Sequence, residues 1–449
     1  MALFLDSIDN CITQQTAAER DALIRDRMQF IRKRNENVRA FVHLAEEPVQ
    51  ERLLRSQSVP MLSGVPLAVK DLIDVAGMPT RLGCRAVDLR PQQHALVIAN
   101  LLGEGAVIAG KSHTTEFAMS GWGVSPLGRP LNPIDASDVY FSGGSSNGSA
   151  SAVAAGLVPA ALGTDTGGSV RIPSSWCGIT GLKGSPGWVS TKGVAALSQR
   201  FDVVGPMART ASDVRLLYRA MLPAARRQVL EKGLEQATAQ PLPTLVFLDD
   251  ASLPEADADM LASYRDSQAR CEALGFPVSI ARIPVSFAQM SQVWAGLSGT
   301  EGYLNNRQWV DDPAAPLDDA VRESLTQSGR TDLASYFNLL NRAGQYREQI
   351  ESLLPAGGML VVPTTSTPAT RLTQFDPQRP LGIYTRFVNL IQGCAIAVPN
   401  GFTHDQRPTS MQFVAGYGQD AAVLHAAIQW QAQTDWHEQV RRLHQQQMQ

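Results

Sequence analysis

Several protein classes are excluded by what the chain lacks. It has five cysteines, Cys11, Cys84, Cys177, Cys271 and Cys394, an odd number scattered without a CxxC pair. A disulfide framework and a zinc ribbon are therefore not expected, and a reducing, cytoplasmic setting is. There is no HExxH and no Cys/His cluster with ligand spacing, so neither a metal nor another cofactor is expected. Charge of one sign is missing too. Lys+Arg 39 against Asp+Glu 42 leaves −3, which argues against nucleic acid as a partner held by bulk charge. The start, MALFLDSIDN, lacks the basic region and apolar core of a signal peptide. The long uncharged stretch 139–164 has twelve Ser, Gly, Asn or Thr among its 26 residues and is too polar to cross a bilayer. No membrane partner is expected.

What is present is an ordinary globular composition: 449 residues, 44% hydrophobic and 18% charged. That is enough chain for two or three domains or one large α/β unit, with a core that needs no staples. Residues 6–57 carry helical periodicity with many charges and read as two surface helices. From 62 to about 220, short apolar runs (VPLAV, AVIA, LVPAALG) alternate with Gly/Ser-rich turns, the texture of an α/β core. Residues 221–243, ending in PLPT, read as a connector. TLVFL (244–248) reads as a strand and 255–350 as mostly helical. Residues 357–368 and 394–402 read as two more buried strands, followed by a final helix from about 419.

Three motifs compete for the chemistry. Gly105 to Ser112 fits G-x-x-x-x-G-K-[ST], with Asp249 and Asp250 after TLVFL as a matching acidic pair. A phosphate loop, however, follows its strand, and here the four central residues Ala-Val-Ile-Ala are themselves the strand. Gly144-Ser145-Ser146-Asn147-Gly148 fits G-x-S-x-G, but of the downstream histidines His404, His425, His437 and His444 none has a catalytic setting. The third constellation is Lys70 at the end of GVPLAVK, the loop SGGSSNGS, and Gly163-Thr-Asp-Thr-Gly-Gly-Ser169-Val-Arg171. A desolvated strand-end lysine is a usable base, and a Gly-Gly turn can aim successive N–H groups at an oxyanion. A serine closing that turn is placed for acyl transfer, with Lys in the place of His.

GGSSNGSASAVAAGLVPAALGTDTGGSVRIPSSWCGITGLK resembles the signature of the amidase signature family, and 24 residues separate Ser145 from Ser169 as in that family. Further similar text runs in order from about residue 60 to 420: GVPLAVKDLIDVAG, EGAVIAGKSHTTEFA, FDVVGPMART, LVVPTTSTPA and CAIAVPNGF. The resemblance implies a single large α/β domain whose central mixed, mostly parallel sheet is flanked by helices. It divides into N-terminal helices (1–60), the catalytic core (61–220), a variable, mostly helical substrate or lid region (221–356) and C-terminal strands and helix (357–449). It also implies a triad with Ser169 as nucleophile, Ser145 as bridging serine after a cis peptide, and Lys70 as base. Thr166, Gly167, Gly168 and Ser169 would bind the oxyanion, while Ser146 and Asp165 would hold the surrounding loops. Arg171 reads first as a structural ion pair with Asp165, and second as a contact for a substrate carboxylate. Three departures stand out: Asn147 for a Gly, which brings it into question as an acyl-pocket residue, Gly184 for a Pro, and Ser174-Ser175-Trp176 for a small-small-Phe run.

The activity expected on this resemblance is hydrolysis of a small linear carboxamide without a cofactor. The alternative is a glutaminase-type subunit that hands ammonia to partner subunits, as others in the family do. A homodimer through the N-terminal helices is a further arrangement known in the family. Trp122, Trp176, Trp188, Trp294 and Tyr303 are pocket candidates, with core or lid packing the first reading for most. Specificity is expected from about 222–350 and from loops near 120–140 and 370–392.

Overall fold

Short runs of branched and small residues, uninterrupted by charge, form strands buried on both faces. The computed structural model describes residues 7–9, 11–12, 17–50, 60–376 and 379–448, and these strands assemble there into one eleven-stranded sheet. In chain order they are β1 (Phe41–Val49), β2 (Pro66–Lys70), β3 (Val107–Ser112), β4 (Ala160–Asp165), β5 (Thr180–Lys183) and β6 (Val203–Ala208). Then follow β7 (Leu245–Leu248), β8 (Val278–Ala281), β9 (Met359–Pro363), β10 (Cys394–Phe402) and β11 (Pro408–Ala415). The spatial order is β1-β3-β2-β4-β6-β5-β10-β11-β9-β7-β8.

The sheet is mixed and flanked by helices, as expected, but it is not mostly parallel. β2 runs parallel to β3 and β4, and β7 parallel to β8 and β9. The other six pairings are antiparallel. β10 and β11 show why: a short connection between them leaves no room for the crossover that a parallel pair needs.

Three expectations about elements are corrected. The first expected N-terminal helix forms, at Ala17–Val38, but the second is replaced by β1, an edge strand antiparallel to β3. Its Glu46, Glu47 and Pro48 suit an exposed edge and hide the alternation that marks a strand. Residues 51–57 of that expected helix lie outside the described residues. The connector 221–243 contains a helix, Ala224–Ala239. The segment 255–350 is mostly helical, as expected, with the short strand β8 inside it, and β11 was not expected at all, because Thr409, Ser410 and Gln412 break its apolar run. The final helix is two, Asp420–Gln433 and Trp436–Gln447. No helix among the described residues is long and apolar enough to cross a membrane.

The topology places functional side chains at one point. β2 and β4 are parallel neighbours, with Val69 opposite Leu162, so Lys70 and the turn after Asp165 emerge at the same edge of the sheet. Ligands of α/β sheets bind at such carboxyl ends. The small-residue helix Asn147–Ala154 is buried along its length and packs against β2, β3 and β4, bringing Ser145 and Ser146 to that edge.

Candidate active site

Lys70 ends the apolar strand Pro-Leu-Ala-Val, and its side chain has nowhere to go but into the core, where it is fully buried. Its Nζ lies 2.8 Å from Ser145 Oγ and 2.7 Å from Thr164 Oγ1, with the Thr164 carbonyl at 3.4 Å. Burial pushes the ammonium down to about 7, against the carboxylates of Asp165 and Asp202, which raise it. Near neutral pH the amine is therefore available as a base.

The serine loop and the glycine turn are tied together by their backbones. The Gly144–Ser145 peptide is cis, and the next N–H, of Ser146, donates to the Ser169 carbonyl at 3.1 Å. Ser146 Oγ bridges the N–H and carbonyl of Thr164, both at 3.3 Å, so it braces β4. None of the described hydrogen bonds joins it to a histidine, and the elbow pattern has no base there. Ser169, in contrast, is only half-buried, makes none of the described side-chain hydrogen bonds, and lines a cavity of about 320 Å³.

The turn between Asp165 and Ser169 is held from outside. Thr385 Oγ1 donates to the Gly167 carbonyl at 2.7 Å, and Trp294 Nε1 donates to the Thr166 carbonyl at 2.8 Å. The N–H groups of Thr166, Gly167 and Ser169 take no partner among the described residues. Gly168 differs from the expectation: its N–H donates to Asp165 Oδ1 at 2.8 Å and is not free for an oxyanion. Its role is conformational, since it sits at φ +125°, where a side chain is strained.

Asp165 and Arg171 form a fully buried, two-pronged ion pair, Nη2 to Oδ1 at 2.9 Å and Nε to Oδ2 at 3.0 Å. Burial alone would raise the Asp165 carboxyl, but Arg171 and the Asn389 amide outweigh it and hold it at about 2. The remaining Arg171 bonds go to Gln412 Oε1 and Asn389 Oδ1. Arg171 does not line the Ser169 cavity, and each of its side-chain nitrogens is bonded within the protein.

The departures from the family pattern have local reasons. Asn147 is fully buried as the first residue of its helix, donates to the Gly123 carbonyl at 2.7 Å, and does not line the cavity. A helical position has no need of the glycine it replaces. A Cβ at Gly184 would come within 2.5 Å of the Tyr218 hydroxyl. Ser175 meets Thr365 Oγ1, and Trp176 Nε1 donates to the Thr367 carbonyl, both at 3.0 Å.

Of the aromatic candidates, Trp122 and Trp294 line the cavity. Trp176 and Trp188 are core side chains, and Tyr303 binds Asp311. The phosphate-loop match is a strand: Gly110, Lys111 and Ser112 belong to β3, and Lys111 is buried against Asp71 at 2.9 Å. Asp259, His404 and Asp405 cluster with ligand-capable atoms, but they stand at the surface and do not line the Ser169 cavity.

Sequence reasoning missed Thr164, Asp202, Thr385, Arg386 and Asn389. Asp202 is half-buried and accepts from Thr166 Oγ1 and from the N–H groups of Leu197 and Ser198. Burial pushes its carboxyl up to about 6, against those hydrogen bonds and Lys70. The signal was there to be read: an Asp inside the apolar FDVVGP run, and Thr, Arg and Asn ahead of the strand CAIAVPNGF.

Comparison with known proteins gives one consistent result. The family model described as Amidase matches residues 23–424. The A subunit of glutamyl-tRNA(Gln) amidotransferase from Marinobacter nauticus is 32% identical over 435 residues, covering 88% of this chain and 89% of that protein. Its namesake from Chromohalobacter salexigens is 34% identical, covering 88% of each. Among solved structures, one described as a crystal structure of amidase aligns over 93% of this chain and 99% of its own, with a TM-score of 0.80 and 25% identity.

Proposed function

The chain belongs to the amidase signature family, and from that premise we propose that it hydrolyses a linear carboxamide to a carboxylic acid and ammonia or an amine, through an acyl-enzyme on Ser169. The observation that carries this reading is the Lys70 amine, desolvated, 2.8 Å from Ser145 Oγ, and making no ion pair among the described residues. Ser169, on the turn that the Ser145–Ser146 loop is bonded to, opens into the cavity.

In this mechanism neutral Lys70 accepts the Ser145 proton as Ser145 accepts that of Ser169. The freed Ser169 oxygen attacks the amide carbon, and the N–H groups of Thr166, Gly167 and Ser169 receive the developing oxyanion. The proton returns through Ser145 to the leaving nitrogen, and water then repeats the sequence on the acyl-enzyme. Five buried cysteines, with no disulfide among the described residues, fit a reducing, cytoplasmic setting.

A fluorophosphonate probe tests the reading, because its adduct mimics the tetrahedral intermediate. The labelled peptide should contain Ser169, and labelling should vanish in Ser169→Ala with the fold intact. Ser145→Ala should weaken it strongly, and Ser146→Ala only in part. A label on Ser146 would sink the assignment. A second reading, a glutaminase-type subunit delivering ammonia to a partner, draws support from the names of the relatives. It requires the chain to prefer glutamine and to release ammonia faster when a partner protein is present.

A further inference from the structure

The cavity in front of Ser169 is electrostatically one-sided. Its lining includes two guanidinium groups, Arg379 and Arg386, and no Asp or Glu. Arg386 opens the short helix Arg386–Leu390 and lies over the Trp294 ring, 4.6 Å from its centroid. Its Nη1 donates to Ser291 Oγ at 2.7 Å, which fixes the guanidinium plane. Nε and Nη2 take no partner among the described residues, and none of the described ion pairs involves this arginine. Burial depresses the group to about 10.

Arg171 is the informative contrast, since all of its nitrogens are bonded and two of its bonds meet a carboxylate. Arg386 is half-buried, and a cation partly withdrawn from water without a counter-charge carries a cost, so a free edge in the cavity lining points to an anion supplied by a ligand. The edge is also in the right place. Arg386 Nε and the Gly167 carbonyl oxygen both lie 3.1 Å from the point that a Cβ on Gly382 would occupy, so the guanidinium borders the oxyanion turn. Trp294 bonds that turn on one side and stacks on Arg386 on the other, linking the two rigidly.

We propose that Arg386 anchors a free carboxylate on the acyl portion of the substrate, so that the preferred substrates are monoamides of short dicarboxylic acids. This rests on the amidase reading above and adds the substrate class. The cavity, at about 320 Å³, suits a molecule of that size. Because no acidic side chain lines it, nothing there receives the ammonium of an amino acid, and glutamine is disfavoured against the same amide without its amino group.

The test compares glutaric acid monoamide, pentanamide and glutamine as substrates. The monoamide should exceed pentanamide in kcat/KM by roughly 30-fold or more, the usual consequence of a desolvated charge pair. It should exceed glutamine as well. Arg386→Gln should collapse the first ratio mainly through KM, and Arg386→Lys should restore part of it. Pentanamide equal to the monoamide, or glutamine the best of the three, would overturn the proposal. A binding measurement separates this inference from its premise: glutarate should bind calorimetrically to Ser169→Ala protein and not to the Ser169→Ala, Arg386→Gln double variant. If none of the amides is cleaved but glutarate binds through Arg386, the amidase reading falls and the anchor stands. If glutarate binding ignores Arg386, the anchor falls.

Discussion

At Lys70 burial and charge oppose each other, burial lowering the ammonium to about 7 while Asp165 and Asp202 pull it upward. A protonated Lys70 cannot take the Ser145 proton, so kcat/KM should fall about tenfold per pH unit below pH ~7 and level off above it. Asp202→Asn removes one of the groups that raise Lys70, and the acidic limb should therefore move to lower pH. Lys70→Ala should lose ~10³-fold or more in rate while the fold survives. A pH–rate series on the three proteins decides the point; a limb that stays put in Asp202→Asn would detach Asp202 from the base. Lys70, Ser145 and Ser169 were legible as candidates because each sits in its own short motif: a strand end, a serine loop and a glycine turn. Asp202 and Arg386 were not, since each gains its meaning from side chains far away in sequence.

The element that matters most is the turn leaving β4. A Cβ on Gly168 would stand 2.1 Å from Thr385 Oγ1, and one on Gly167 would stand 2.3 Å from the Trp294 ring. Gly168→Ala should therefore displace the turn and cost about 10²–10³ in kcat, the scale of losing an oxyanion donor. Gly167→Ala should instead push Trp294 aside and change the intrinsic fluorescence. Wild-type kcat in a folded Gly168→Ala protein would remove the turn from the mechanism. Neither clash could be read from the sequence, because Trp294 and Thr385 arrive from a helix and a turn more than a hundred residues downstream. The glycines themselves were plain in the text, but that the Gly168 N–H would be taken by Asp165 was not.

On the scale of the whole molecule, β1 closes one edge of the sheet. It covers β3, whose six residues are buried, and the Ala40 carbonyl accepts the His113 N–H at 2.9 Å. A variant lacking residues 1–50 would present β3 as an open apolar edge, and the expected outcome is self-association with a lower Tm. Light scattering and thermal melts check it, and a monodisperse variant with unchanged Tm would make β1 dispensable. The opposite edge ends in β8, a short strand whose side chains are half-buried or exposed.

The sequence by itself determined the family-like core, the strands with unbroken apolar runs, and the candidates for the proposed triad, since each sits in a motif of residues close along the chain. It misread β1 and missed β8 and β11, because exposed or polar side chains there mask the strand period. Only the tertiary structure decided which guanidinium is used up and which is free. Arg171 and Arg386 are equally bare in the sequence, yet Asp165, Asn389 and Gln412 converge on the first, while the second meets only Ser291 and Trp294. Convergence of that kind is fixed by how the sheet brings β4, β11 and the 385–390 segment together, and by no local pattern.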